Sequence, residues 1–216
     1  MSVQLGWLQT YIQNLRNCVG GTQANSTISR ALFIFSVGSN DFSYKNLNPA
    51  VAGLSDAQYR QLLAAYQLGA RNFFVFALGP LGCTPISITL QCGAFPNSFC
   101  RRNCNEGTNQ LVYAFNLALQ AMIQNLQSTL AGSKFYFTVD AYNVTYDAVK
   151  NPAKYGLRVV DRGCCGFGYT EIGDGCNRFS FGTCSNALPF IFFDAIHPTS
   201  SFTQKLAPGT YTLLGI

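Results

Sequence analysis

The chain has 216 residues, of which 48% are apolar and 11% charged, with a formal charge of +5. That composition excludes a disordered polar chain and predicts one globular domain over residues 1–216 with a sizeable core. The basic residues are scattered, with Arg101–Arg102 the densest cluster, so the basic stripe of a nucleic-acid binder is missing; no run approaches the ~18 apolar residues of a membrane helix.

Leu5, Leu8, Ile12 and Leu15 recur at helical spacing, with Tyr11 beside them, and predict an amphipathic helix over 3–17. A polar, glycine-bearing stretch runs from Cys18 to Arg30. Ala31 to Val37 is a short apolar run ending at Gly38 and reads as a strand buried on both faces. Ser55-Asp56-Ala57-Gln58 resembles a capping box opening a second helix, closed by Gly69. Asn72 to Leu78 is another buried strand, followed by a long loop to about residue 104. The longest helix is expected over 106–130, on a stripe of Leu111, Ala114, Phe115, Ala118, Leu119, Met122, Ile123 and Leu126. Lys134 to Asp140 reads as a third strand, 143–150 as a short helix and 162–186 as a loop rich in glycine and cysteine. A final apolar run, Leu188 to Phe193, leads into Asp194-Ala195-Ile196-His197-Pro198. Strands that lack period-two polarity and alternate with helices indicate a parallel α/β sheet, whose site lies at the carboxyl ends of its strands.

Eight of the nine cysteines form two groups: Cys83, Cys92, Cys100 and Cys104, then Cys164, Cys165, Cys176 and Cys184. Zinc sites favour tight C-x2-C pairs, and none occurs; Cys100-x3-Cys104 has no second pair or histidine to answer it. Disulfides are therefore expected, with an oxidising compartment, no metal and no cofactor. The sequons at Asn25 and Asn143 agree with secretion as glycosylation sites. The start from Met1 to Trp7 has neither the basic nor the apolar region of a signal peptide, and an odd cysteine is left over. Both features are expected if an N-terminal part of the protein is missing.

His197 is the only histidine, so acid–base catalysis by imidazole at neutral pH falls to it. Asp194 stands three residues before it, and on a tight loop D-x-x-H brings a carboxylate to the ring. An exposed histidine beside a turn-forming aspartate would read the same way. In Gly38-Ser39-Asn40-Asp41 the Asn40 amide suits an oxyanion and Gly38 a close backbone approach, although all four are ordinary turn residues.

Taken together, Ser36-Val37-Gly38-Ser39-Asn40-Asp41-Phe42 resembles block III of the GDSL, or SGNH, hydrolases, and Asp194-Ala195-Ile196-His197-Pro198-Thr199 resembles their block V. Leu68-Gly69-Ala70-Arg71, Gly79-Pro80-Leu81-Gly82-Cys83, Phe115-Asn116, Asn151-Pro152, Tyr155-Gly156 and Gly163-Cys164-Cys165-Gly166 are similar to its large plant subfamily. The resemblance implies a flavodoxin-like three-layer α/β/α sandwich with a parallel sheet, here without its N-terminal strands. It implies hydrolysis of small-molecule or lipid carboxylic esters by an extracellular esterase or lipase. Asn40 would donate to the oxyanion, His197 would be the general base, Asp194 would orient it, and Gly38 and Asp41 would support the block III loop. Blocks I and II, which carry the nucleophilic serine and an oxyanion glycine, have no counterpart. Gly173-Asp174-Gly175 has the letters without the serine. Leu206-Ala207-Pro208-Gly209 is expected to interrupt the helix after block V. Two readings follow: an ester hydrolase by descent that is inactive as this chain, and a catalytically dead secreted binding or structural protein on the same scaffold.

Overall fold

A computed structural model describes residues 2–36, 38–40, 51–93, 100–138, 140–177 and 179–214. The elements are α1 (Ser2–Val19), α2 (Gly21–Arg30), β1 (Leu32–Phe35), α3 (Val51–Gln67), β2 (Asn72–Phe76), α4 (Pro85–Gln91), α5 (Glu106–Thr129), β3 (Lys134–Thr138), α6 (Asp140–Lys150), β4 (Val159–Gly163), β5 (Phe190–Phe192) and α7 (Ser200–Leu214). The fold is mixed α/β with parallel strand pairs, in keeping with the flavodoxin-like α/β/α class expected from the sequence. The chain divides into two compact units, one of Met1–Ala77 with Phe115–Phe137 and one of Leu78–Ala114 with Thr138–Ile216.

In the first unit the strand order is β1-β2-β3, and β1 runs parallel to β2 with Leu32 opposite Asn72 and Phe35 opposite Val75. Phe73, Phe74 and Val75 are fully buried, and Phe73 stacks on Phe135 with centroids 4.6 Å apart. Asn72 donates through Nδ2 to the Ser29 carbonyl at 2.9 Å, tying β2 to the end of α2. Leu32 and Ile34, 40% and 63% exposed, correct the expectation of a strand covered on both faces. They share one face of β1 by the period-two rule, and nothing among the described residues buries it. The polar stretch from Cys18 to Arg30 is largely α2, because Ala24 and Ile28, spaced i,i+4, are both buried while Gly20 turns the chain at φ +80°. Helix α3 begins at Val51, which places Ser55 inside the helix and not at its start.

In the second unit β4 and β5 pair in parallel. Ala148, Leu157, Ile191, Phe192 and Phe202 form the core beneath them. The region after β2 is not all loop: Thr84 caps α4 by accepting from the Ser87 N–H at 3.4 Å, and Pro85 occupies the first turn, where its missing donor costs nothing. Helix α7 runs on through Pro208 and corrects the expected interruption, although a proline there removes one donor from the helical ladder and crowds the carbonyl four residues before it. Four disulfides join Cys83 to Cys104, Cys92 to Cys100, Cys164 to Cys184 and Cys165 to Cys176, leaving Cys18 free and exposed. Along α5 the buried positions are Asn109, Val112, Phe115, Asn116, Leu119, Ile123 and Leu126, whereas Leu111 is 40% exposed.

Candidate active site

The apolar run Phe190–Phe192 is buried throughout and delivers the chain to a turn that closes on itself. The Phe193 N–H donates to the His197 carbonyl at 2.8 Å, and the Thr199 N–H donates to the Ile191 carbonyl at 2.8 Å. Thr199 then anchors α7, donating its hydroxyl to the Phe190 carbonyl at 2.9 Å and accepting from the Phe202 N–H at 3.2 Å. Three residues of spacing therefore suffice to bring Asp194 and His197 together.

Asp194 is 3% exposed and accepts four hydrogen bonds. Its Oδ1 receives the Ile196 N–H at 2.8 Å and the His197 N–H at 2.6 Å, a local turn of the kind aspartate favours. Its Oδ2 lies 2.7 Å from His197 Nδ1 and receives the Gly173 N–H at 3.3 Å. Burial works to push this carboxyl up, but the His197 ring and the backbone N–H groups of His197, Ile196 and Gly173 outweigh it and hold it below its ordinary value. An ionised carboxylate only accepts, so the hydrogen in this contact belongs to Nδ1 of the ring, leaving Nε2 of the neutral imidazole as acceptor. The His197 side chain is 64% exposed. Asp194 and His197 line a cavity of about 530 Å³ with Gly173, Cys176, Phe193 and Ser200 among its other walls. This arrangement can hold an imidazole in one tautomer and take a proton from a group placed in the cavity.

The supports of Asp194 come from parts of the sequence to which the reading gave no role at the site. The Ala195 N–H donates to the Glu171 carbonyl at 2.9 Å, and the Ala195 carbonyl accepts the Ile86 N–H at 3.0 Å. The Glu171 carboxylate turns inward on the N–H groups of Phe167, Tyr169 and Thr170 at 2.9, 3.0 and 3.1 Å. Burial opposes its ionisation, yet its own backbone N–H together with those of Phe167, Thr170 and Tyr169 leaves its carboxyl lower than usual. Gly163 packs so closely that a Cβ there would sit 2.6 Å from the Asp194 carbonyl oxygen. Gly173, noticed in the sequence only as part of a serine-less G-D-G, contributes its backbone N–H. A D-x-x-H spacing is local and can be read; donors that arrive from residues 163–173 depend on tertiary contacts and cannot.

Asn40 lies in the first unit, exposed, at the start of a helical turn after β1. Gly38 is buried with φ +107°, a conformation that favours glycine. Asp41 lies outside the described residues. Asn25 is exposed and accepts from the Arg16 guanidinium at 3.2 Å, and Asn143 is exposed on α6. No group of three or more histidine, cysteine, aspartate or glutamate side chains arranged for a metal occurs among the described residues.

Comparison with known proteins gives a match to the family model GDSL-like Lipase/Acylhydrolase over residues 2–208. The chain is similar to GDSL esterase/lipase At2g31550 of Arabidopsis thaliana, at 35% identity over all of this chain and 59% of the relative. It is also similar to At1g58430, at 34% identity over 93% of this chain and 57% of the relative, and to At5g03810, at 36% over 96% and 60%, both GDSL esterase/lipases of Arabidopsis thaliana. The chain thus spans about 59% of the length of the curated relatives it matches.

Proposed function

The chain belongs to the GDSL-like lipase/acylhydrolase family, and from that premise we propose that it carries the acid–base half of a carboxylic-ester hydrolase whose nucleophilic serine is not among these residues. His197 acts as the general base through Nε2, and Asp194 holds the ring and stabilises the imidazolium that forms when a serine hydroxyl gives up its proton. Asn40 donates to the oxyanion, with Gly38 and Asp41 shaping its loop. Residues 1–216 form part of one hydrolase domain, exported to an oxidising compartment and carrying glycans at Asn25 and Asn143. The observation that carries this reading is the 2.7 Å contact between His197 Nδ1 and the buried Asp194 Oδ2, beside a cavity that both residues line.

A fluorophosphonate probe and a nitrophenyl ester test it. Residues 1–216 alone should show no stoichiometric serine labelling and only weak turnover, because a general base without a nucleophile lacks the covalent step. Supplying the serine-bearing N-terminal part of a relative should restore labelling, and His197→Ala should then lower kcat by ~10³-fold or more. Labelling of a serine in the isolated chain would place the nucleophile among these residues. Failure to label the completed protein would favour a dead scaffold used for binding.

A further inference from the structure

The second unit shows apolar side chains where a folded chain does not normally leave them. Phe179 and Phe181 are 79% and 83% exposed, and Phe167 is 61% exposed with its ring centroid 6.0 Å from that of Phe181. Single exposed apolar residues are ordinary, but several phenylalanines in one short segment mark a surface that meets something apolar. We propose that the segment from Cys164 to Cys184 is an adsorption surface for an uncharged lipid–water interface, with Phe167, Phe179 and Phe181 as the inserting side chains.

The presentation of these rings is built in. Two disulfides, Cys164–Cys184 and Cys165–Cys176, close the segment from inside and outside. The Gly166 N–H donates to Thr183 Oγ1 at 3.1 Å, and Gly166, Gly168 and Gly182 hold the left-handed backbone values that these bends need. A loop fixed in this way cannot collapse to bury its own rings, and it loses little further freedom when it binds.

Charge selects the occupant. The Glu171 carboxylate is spent on three backbone N–H groups and does not furnish the face. The other two charged residues of the segment, Asp174 and Arg178, are of opposite sign, and the remainder is mainly glycine, serine, threonine and asparagine. Arg178 is the one basic residue of the segment, and the Arg102 guanidinium over the Tyr169 ring is already paired with Asp161 at 3.3 Å, so the segment offers no basic cluster for anionic headgroups and neutral or zwitterionic lipid is the matching surface. The segment is also a wall of the catalytic cavity, since Gly173 and Cys176 line it together with Asp194 and His197. On the ester-hydrolase reading, adsorption would set that cavity at the place where long-chain acyl esters are concentrated, so the substrate class is an ester presented at a lipid surface.

Flotation of the whole 216-residue chain with phosphatidylcholine vesicles containing triolein tests the proposal without any turnover. Wild type should float, and Phe167→Ser/Phe179→Ser/Phe181→Ser should partition at least ~10-fold less, since each buried ring contributes more than the equivalent of one decade. Circular dichroism checks that the triple variant is folded, and Phe181→Trp should keep binding while its emission shifts to the blue on vesicles. Equal partition of the folded triple-serine variant would overturn the proposal. So would binding that requires phosphatidylglycerol and vanishes with salt, or self-association of the wild type, abolished by the serine changes, with no lipid binding. The ester-hydrolase reading fails separately, through absent labelling of the completed protein and absent turnover of a soluble short-chain ester.

Discussion

Asp194 is buried to 3% exposure while the His197 side chain keeps 64%, so the two halves of the pair should respond differently to substitution. An asparagine at 194 has one acceptor oxygen for the four donors that now meet the carboxylate, and its amide N–H groups face other donors. Asp194→Asn should therefore change the tautomer of the ring. The 15N shifts of the only imidazole in the chain read this directly, and an unchanged Nδ1–H tautomer would contradict the geometry described above. Gly163→Ala should act on the same pair through the backbone, because its Cβ would lie 2.6 Å from the Asp194 carbonyl oxygen. Displacement of about 1 Å costs ~10²-fold in a positioned catalytic site. A version of the protein that turns over ester should lose that much in kcat with little change in KM. Glu171→Ala frees three backbone N–H groups and should speed hydrogen exchange at Gly173 and Ala195, which Glu171→Asp only partly repairs.

Among the elements, the ones legible in the sequence were those whose signal is local. Phe73 to Phe76 and Phe190 to Phe192 read as strands because a short apolar run bounded by turn residues is the pattern of a strand buried on both faces, and α5 read as a helix because its stripe repeats from Leu111 to Leu126. The elements that escaped lack such a run. Helix α2 buries only Ala24 and Ile28, and β4 ends in Asp161-Arg162-Gly163, so its polar composition concealed its pairing with β5. Disulfide formation was legible and each bridge stays within one of the two groups, but spacing does not choose among the pairings inside a group. Mass spectrometry of native, unreduced protein should find one alkylatable thiol, Cys18, and four bridges. Removing Cys165–Cys176 by paired serine substitution should cost about 2–5 kcal/mol and raise exchange at Gly173. Removing Cys92–Cys100, whose 8-residue separation closes a shorter loop, should cost less and leave Gly173 unchanged. Either effect on Gly173 in reverse would separate the bridges from the site.

For the whole molecule, acid is the condition that should unfold it. Asp194 and Glu171 are held below their ordinary values against burial, and so is Glu106, by Asn109, Lys150 and Tyr146. Lys154, Tyr155 and Asn151 bring Asp147 down to about 2. A carboxyl with a depressed folded value contributes stability above its unfolded value and loses it as pH falls through the folded one. The urea midpoint should thus be level from roughly pH 5 to about pH 9 and fall steadily toward pH 2; a midpoint that rises on acidification would contradict these assignments. A last consequence concerns how the chain reaches this state. Cys164 and Cys165 are neighbours that reach outward to Cys184 and inward to Cys176, so exchanging their partners moves each link by a single position. Ring size hardly distinguishes the two isomers. The preference must come from burial of the pair and from the Cys184 N–H that donates to the Cys164 carbonyl at 2.8 Å, contacts that belong to the folded chain. Oxidation that outruns folding should trap the swapped twin, identical in mass and in tryptic map because trypsin does not cut between the two cysteines. Stepwise reduction and alkylation would tell the twins apart, and adding a disulfide isomerase during refolding should convert one into the other.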